Sequence, residues 1–251
     1  MRTLEKSVLH GAVFVVAFSL LAAADAFAMH IADGIISFNW AAVWFAAVIP
    51  FIALGLRRMQ ALAANDFAMK PLVGLIAAIV FIISCMPVPV PFIGTCSHPC
   101  GTGIAAVLLG PLVAVPVALA ALLLQALFLA HGGLSTLGAN VLAMGVAGSF
   151  AACGIFHLAR RVGFSLGIAA FCAGLAADWA TYLTTSAVLA LGLQGTETFS
   201  SIFIMVALAF IPTQLPLGIL EGAMTAGVVV MLSRKRPDLL VKTHILKPRE
   251  A

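Results

Sequence analysis

Charge is what this chain of 251 residues has least of: only 9% of its residues are Asp, Glu, Lys or Arg, against roughly 25% in a soluble domain. With 63% of residues hydrophobic, it has no stretch that reads as a soluble domain and no long linker. It also lacks any G-x-x-x-x-G-K-[ST] sequence, so it cannot itself be a P-loop ATPase. No C-x-x-C pair is present, and no base or quinone motif accompanies the thiols, which leaves a thioredoxin-like oxidoreductase without its motif. No repeat with a period of roughly 20 to 50 residues is visible, which removes solenoids and arrays. The net charge of +4 is no nucleic-acid signal, because it comes from short basic clusters beside apolar stretches and from a basic tail.

Apolar stretches are what the chain does have, at residues 40–56, 71–86, 104–130, 134–158, 164–191 and 200–232. Most are long enough to cross a hydrocarbon core of roughly 30 Å. The expected class is therefore an all-α polytopic membrane protein. If residues 104–130 made one pass, Arg160 and Arg161 would face the outside. If they make two short passes broken near Gly110-Pro111, every Lys and Arg after residue 28 falls on the cytoplasmic side. That reading predicts seven transmembrane helices, with the carboxyl terminus inside and Met29, His98 and His131 sharing the outer face.

Upstream of the first stretch, Arg2 and Lys6 precede an apolar run, and Ala26-Phe27-Ala28 reads as a signal-peptidase site. The expected organisation is a signal peptide at 1–28, a seven-helix membrane domain at 29–236 and a basic cytoplasmic tail at 237–251. Cleavage after Ala28 would make Met29-His30 the mature amino terminus. A chain beginning Xaa-His offers a metal its terminal amine, the second amide nitrogen and the imidazole, which close adjacent five- and six-membered rings. A nitrogen set of this kind suits Ni(II), Cu(II) or Co(II).

Polar residues at membrane depth are costly and usually line a cavity or find a partner. Residues 91–103 are rich in Gly and Pro, hence irregular, and hold Cys96, Ser97, His98 and Cys100. His98 either supplies a fourth nitrogen to Met29 and His30 or is a hydrogen-bonded loop residue. Cys96 and Cys100 are soft ligands, a disulfide, or buried packing residues. Within His131-Gly132-Gly133, His131 is an outer-face turn residue or a donor behind the ligands. Ser135 and Asn140 can hydrogen-bond nearby irregular backbone, and Asp33 can anchor the amino-terminal loop by accepting N–H bonds. Asp178 and Glu221 are the acidic residues inside expected spans. Each compensates a cation, orients a ligating imidazole, or is a buried carboxylate satisfied by its neighbours.

Together Met29-His30-Ile31-Ala32-Asp33-Gly34, Gly94-Thr95-Cys96-Ser97-His98-Pro99, Gly101-Thr102-Gly103, Leu108-Leu109-Gly110-Pro111, the run from His131 to Asn140, Ala177-Asp178 and the run from Gln214 to Gly222 resemble the CbiM/NikM family. These are the substrate-capture components of energy-coupling factor (ECF) transporters. The resemblance implies a non-enzymatic, seven-helix inner-membrane protein that takes up Co(II) or Ni(II) to feed cobalamin biosynthesis, with the Cys-Ser-His-Pro wording leaning toward cobalt. It places metal ligands at Met29, His30 and His98, and possible supporting roles at Cys96, Ser97, His131, Asn140, Asp178 and Glu221. It also implies partners: a scaffold membrane subunit, a pair of ATP-binding cassette ATPases and a small auxiliary membrane subunit. Small residues such as Ala169, Ala173 and Ala177 would then let helices slide as the subunit reorients. A membrane metal sensor or metallochaperone using the same residues is the competing expectation. The chain departs from the family pattern at Asp33, where Glu is usual, at Ile35-Ile36-Ser37-Phe38, where a Pro is expected, and at Cys100.

Overall fold

The computed structural model describes residues 30–86, 88–90, 95–243 and 245–246, so the expected signal segment and Met29 lie outside the described residues. Among the described residues eight helices run in order: α1 (Phe38–Asn65), α2 (Met69–Ser84), α3 (Thr102–Leu109), α4 (Pro111–Phe128), α5 (Leu137–Arg161), α6 (Leu166–Leu193), α7 (Phe199–Lys235) and α8 (Pro237–Lys242). The apolar stretches are helical because, in hydrocarbon, a helix satisfies its backbone N–H and C=O groups within one segment. Five of them, α1, α4, α5, α6 and α7, are long and apolar enough to cross a membrane, and α2 is a shorter apolar helix of 16 residues. Large apolar side chains such as Ile49, Leu75, Ile82, Leu183 and Ile204 point outward, as they do where the surrounding solvent is lipid. The chain is an all-helical polytopic membrane protein whose only strands among the described residues form one short hairpin.

The expected break in residues 104–130 falls at Gly110, whose backbone (φ 85, ψ 158) is open essentially only to glycine. Pro111 then opens α4, where a missing N–H costs nothing. Gly101 at the start of α3 packs on Val80 and Ile83, and Gln125 near the end of α4 bonds Ser84. Both therefore lie beside the last turns of α2, and Gly110 lies at the opposite end, so α3 and α4 form a helical hairpin. All eight residues of α3 are buried, as a helix apolar on every side requires. At about 1.5 Å per residue it is about 12 Å long, a half-length element enclosed by the rest of the bundle.

Strands Val88–Val90 and Thr95–Ser97 pair antiparallel, with Val88 opposite Ser97. This hairpin leads the chain into the short loop 98–101 and so delivers His98 to the interior. Helix α5 begins with one turn, Leu137–Asn140, then widens into eight residues of π-helix, Val141–Gly148, before resuming as Ser149–Arg161. Ala169, Ala173 and Ala177 are fully buried. The neighbouring Gly174 is so close to α7 that a Cβ there would lie 2.6 Å from the Glu221 carbonyl oxygen. The small residues expected to form a sliding surface are thus sealed between α6, α7 and α3. Arg58, Gly110, His157 and Lys242 line one cavity at the end of the bundle away from His30. There Lys242 pairs with Asp66 at 2.5 Å, which ties α8, the start of the expected tail, to the chain just after α1.

Candidate metal centre

The segment before α1 dips into the bundle instead of lying across it. His30 is 4% exposed and Ile31 3%. Asn140 clamps Ile31 from both sides: its Oδ1 accepts the Ile31 N–H at 2.9 Å and its Nδ2 donates to the Ile31 carbonyl at 3.1 Å. The Thr136 hydroxyl donates to the same carbonyl. Asp33 has the anchoring role expected of it, accepting N–H bonds from Ser135 at 2.8 Å and Leu134 at 3.2 Å and a bond from the Ser135 hydroxyl. The Ser135 contacts, first of all its hydroxyl, hold the Asp33 carboxyl below the usual range. Gly133 is required at this contact, because a Cβ there would lie 2.4 Å from Asp33 Oδ1.

Three imidazoles meet below this clamp. His30 and His98 have ring centroids 4.5 Å apart, His30 and His131 5.0 Å, and His98 and His131 5.1 Å. One ring nitrogen from each lies within 4.8 Å of the others. His131 gets there because α4 ends in a tight reversal: Ala130 adopts a left-handed conformation (φ 48), and the His131 N–H bonds back to the Gln125 carbonyl at 3.2 Å.

Hydrogen bonds fix which nitrogens are free. Gln125 Nε2 donates to Ser84 Oγ at 2.7 Å, which turns its Oε1 toward His30 Nε2 at 3.0 Å. An acceptor there places the His30 proton on Nε2 and leaves the lone pair on Nδ1, the nitrogen that can close a six-membered ring with the His30 amide. The Pro99 carbonyl lies 3.0 Å from His98 Nδ1, which puts the lone pair on Nε2. That atom is buried and has no partner, and so is His131 Nε2. Burial, with His98 and His131 nearby, pulls His30 well below the ordinary imidazole pKa. Burial, with His131 beside it, pushes His98 from 6.5 down to about 3, and burial also lowers His131. The cluster is neutral at physiological pH, which is the state that ligates metal.

The remaining expected residues divide. Ser97 donates to the Tyr182 hydroxyl at 3.4 Å and accepts from Gln214, and Tyr182 donates to the His98 carbonyl at 3.1 Å. This tethers the His98 backbone to α6 and α7. Asp178 and Glu221 do not stand against the imidazoles but gather with Cys100, one ligand atom from each lying within 4.8 Å of the others. Glu221 Oε2 accepts the Cys100 N–H at 2.7 Å, so the carboxylate sits at the positive end of α3. Cys100 is a free thiol, and the Cys96 side chain lies outside the described residues. Gln125 and Thr136 escaped the reading of the sequence. A lone amide in the apolar run 111–128 was the signal for Gln125, whereas nothing local marks Thr136.

Fold and donor set define the class: a polytopic helical membrane protein with a buried nitrogen cluster suited to a transition-metal ion. A family profile described as "Cobalt uptake substrate-specific transmembrane region", CbiM, matches residues 30–239, and the chain belongs to that family. It is 63% identical over 228 residues to the "Cobalt transport protein CbiM" of Geobacter sulfurreducens, a match covering 91% of this chain and 66% of that protein. A protein of the same name in Sorangium cellulosum is 57% identical over 219 residues, covering 87% of this chain and 97% of that one. Among solved structures, the crystal structure of a truncated transition metal transporter aligns with a TM-score of 0.72 at 27% identity, covering 82% of this chain and 99% of that one. A second transition metal transporter structure aligns with the same TM-score at 26% identity, covering 88% of this chain and all of that one.

Proposed function

We propose that this chain is the substrate-capture membrane component of an ECF-type importer and takes up Co(II), with Ni(II) as a second substrate, to feed cobalamin biosynthesis. One observation carries the reading: a buried, unpartnered His98 Nε2 beside a His30 whose Nδ1 is the free nitrogen. Cleavage after Ala28 gives Met29 a free amine. The amine, the His30 amide and Nδ1, and His98 Nε2 then supply four nitrogens to the ion, and His131 brings a third imidazole within reach. The names of the Geobacter and Sorangium relatives favour cobalt.

In this reading the histidine end faces outward and the end bearing Arg58 and Lys242 is cytoplasmic, as the positive-inside rule requires. The mature domain crosses the inner membrane as a seven-helix bundle in which α3 is the half-length member. ATP hydrolysis belongs to partner ATPase subunits acting through a scaffold subunit, with a small auxiliary membrane protein completing the complex. Uptake of labelled Co(II) by cells with the whole set of subunits tests the proposal. Uptake is expected to fall to background in His98→Ala and in a variant whose signal site is blocked. Accumulation that survives both substitutions would overturn it.

A further inference from the structure

Two carboxylates and a thiol buried together inside a helical bundle are costly unless something shares their charge. Cys100, Asp178 and Glu221 are all 0% exposed. Glu221 is accounted for in part, since one of its oxygens accepts the Cys100 N–H. Asp178 is not: neither of its oxygens has a hydrogen-bond partner, and neither does the second oxygen of Glu221. No ion pair among the described residues involves either carboxylate. The hydroxyls of Thr102 and Thr225, at the start of α3 and one turn beyond Glu221, are also buried without partners. The unpartnered atoms come from three separate elements, Thr102 from α3, Asp178 from α6 and Glu221 and Thr225 from α7, whereas the Cys100 thiol has a hydrogen bond with Thr181.

We propose that Cys100, Asp178 and Glu221 form a second divalent-cation site, separate from the imidazole cluster. One thiolate and two carboxylates suit a borderline ion of the Zn(II) or Co(II) kind, with a water or a neighbouring hydroxyl as fourth ligand. Binding releases the thiol proton to solvent, because the thiolate is the ligand. Cys100 is two residues beyond His98, a reach of at most about 7 Å along the chain. The loop 98–101 therefore carries a nitrogen donor at one position and a sulfur donor two residues on, the latter against the middles of α6 and α7. The site itself stands on the cluster's own geometry. Its service as an inner station for a transported ion rests on the transport reading above.

The test uses the purified full chain, saturated with Co(II) without oxygen, with metal counted by elemental analysis and ligands read by X-ray absorption and near-ultraviolet spectra. The wild type is expected to hold two ions and to show a sulfur neighbour with a thiolate-to-cobalt charge-transfer band. Cys100→Ser should remove that band and one ion, and Asp178→Asn should weaken the same ion by about tenfold or more. Cys96→Ser should leave the band intact. His98→Ala should remove the other ion and keep the band. A wild type with a single ion and no sulfur neighbour overturns the proposal, and this outcome needs no variant to fold. A band that survives Cys100→Ser overturns it as well. If His98→Ala leaves both ions bound with the band intact, the second site stands and the imidazole reading fails.

Discussion

His30 and His98 each depend on a neighbour that sets which nitrogen is free, Gln125 for the first and the Pro99 carbonyl for the second. Asn140 bonds both the N–H and the carbonyl of Ile31, the residue after His30, so it fixes the depth at which His30 enters. Asn140→Ala is expected to leave the bundle folded and to weaken Co(II) binding by roughly 10- to 100-fold, measured by calorimetric titration; unchanged affinity would show that the clamp is not needed. The pH dependence follows from the buried imidazoles. His98 titrates at about 3 in the folded chain and near 6.5 when exposed, and His30 and His131 are shifted in the same direction. A depressed pKa contributes stability that is fully present above 6.5 and is lost as pH falls toward the folded value, because the unfolded chain takes up protons first. The melting temperature of the metal-free protein should therefore fall as pH drops from about 7 toward 4, and substituting all three histidines with Gln should flatten that dependence. His30 and His98 were legible in the sequence from their places in the Met-His terminus and the Gly/Pro-rich loop. The position of His131 against them was not, because it depends on the left-handed Ala130 reversal, which no glycine announces.

At the scale of the element, the α3–α4 hairpin decides where the loop 98–101 ends up. Its turn depends on Gly110, so Gly110→Ala is expected to cost about 1–3 kcal/mol of stability, read as a lowered melting temperature in detergent. A neutral result would mean that the turn has another way to close. The small-residue face of α6 gives a second element-scale expectation. Because Ala173 is fully buried, Ala173→Leu should overpack the interior at a cost of about 1–3 kcal/mol and lower folding yield and metal binding together. A variant that binds metal normally but transports none would instead restore the sliding role. Hydropathy showed where the helices lie and Gly110-Pro111 showed the break. It could not place the start of α3 at Thr102, because Thr102 and Gly103 fall outside the apolar run, which begins at residue 104.

Over the whole molecule, Arg58 and Lys242 lie around a cavity at one end of the bundle, and His30, His98 and His131 lie toward the other. A cysteine introduced at Lys242 in an otherwise cysteine-free chain should react with a membrane-impermeant reagent only in inside-out vesicles; labelling in intact spheroplasts would reverse the assigned orientation. The class was legible from composition alone, since a chain with 9% charged residues has few other ways to fold. The buried thiol–carboxylate cluster was not, because Asp178 and Glu221 stand 43 residues apart in sequence, and only the packing of α6 on α7 brings them to Cys100. The central claim is that a processed Met29 amine completes a metal site with His30 and His98. Intact mass of the purified protein, metal-free and Co(II)-loaded, tests it most directly. The account predicts a mass beginning at Met29 and a tightly held ion that is lost in His98→Ala. A mass that retains residues 1–28, or a His98→Ala protein that holds as many ions as the wild type, would contradict it.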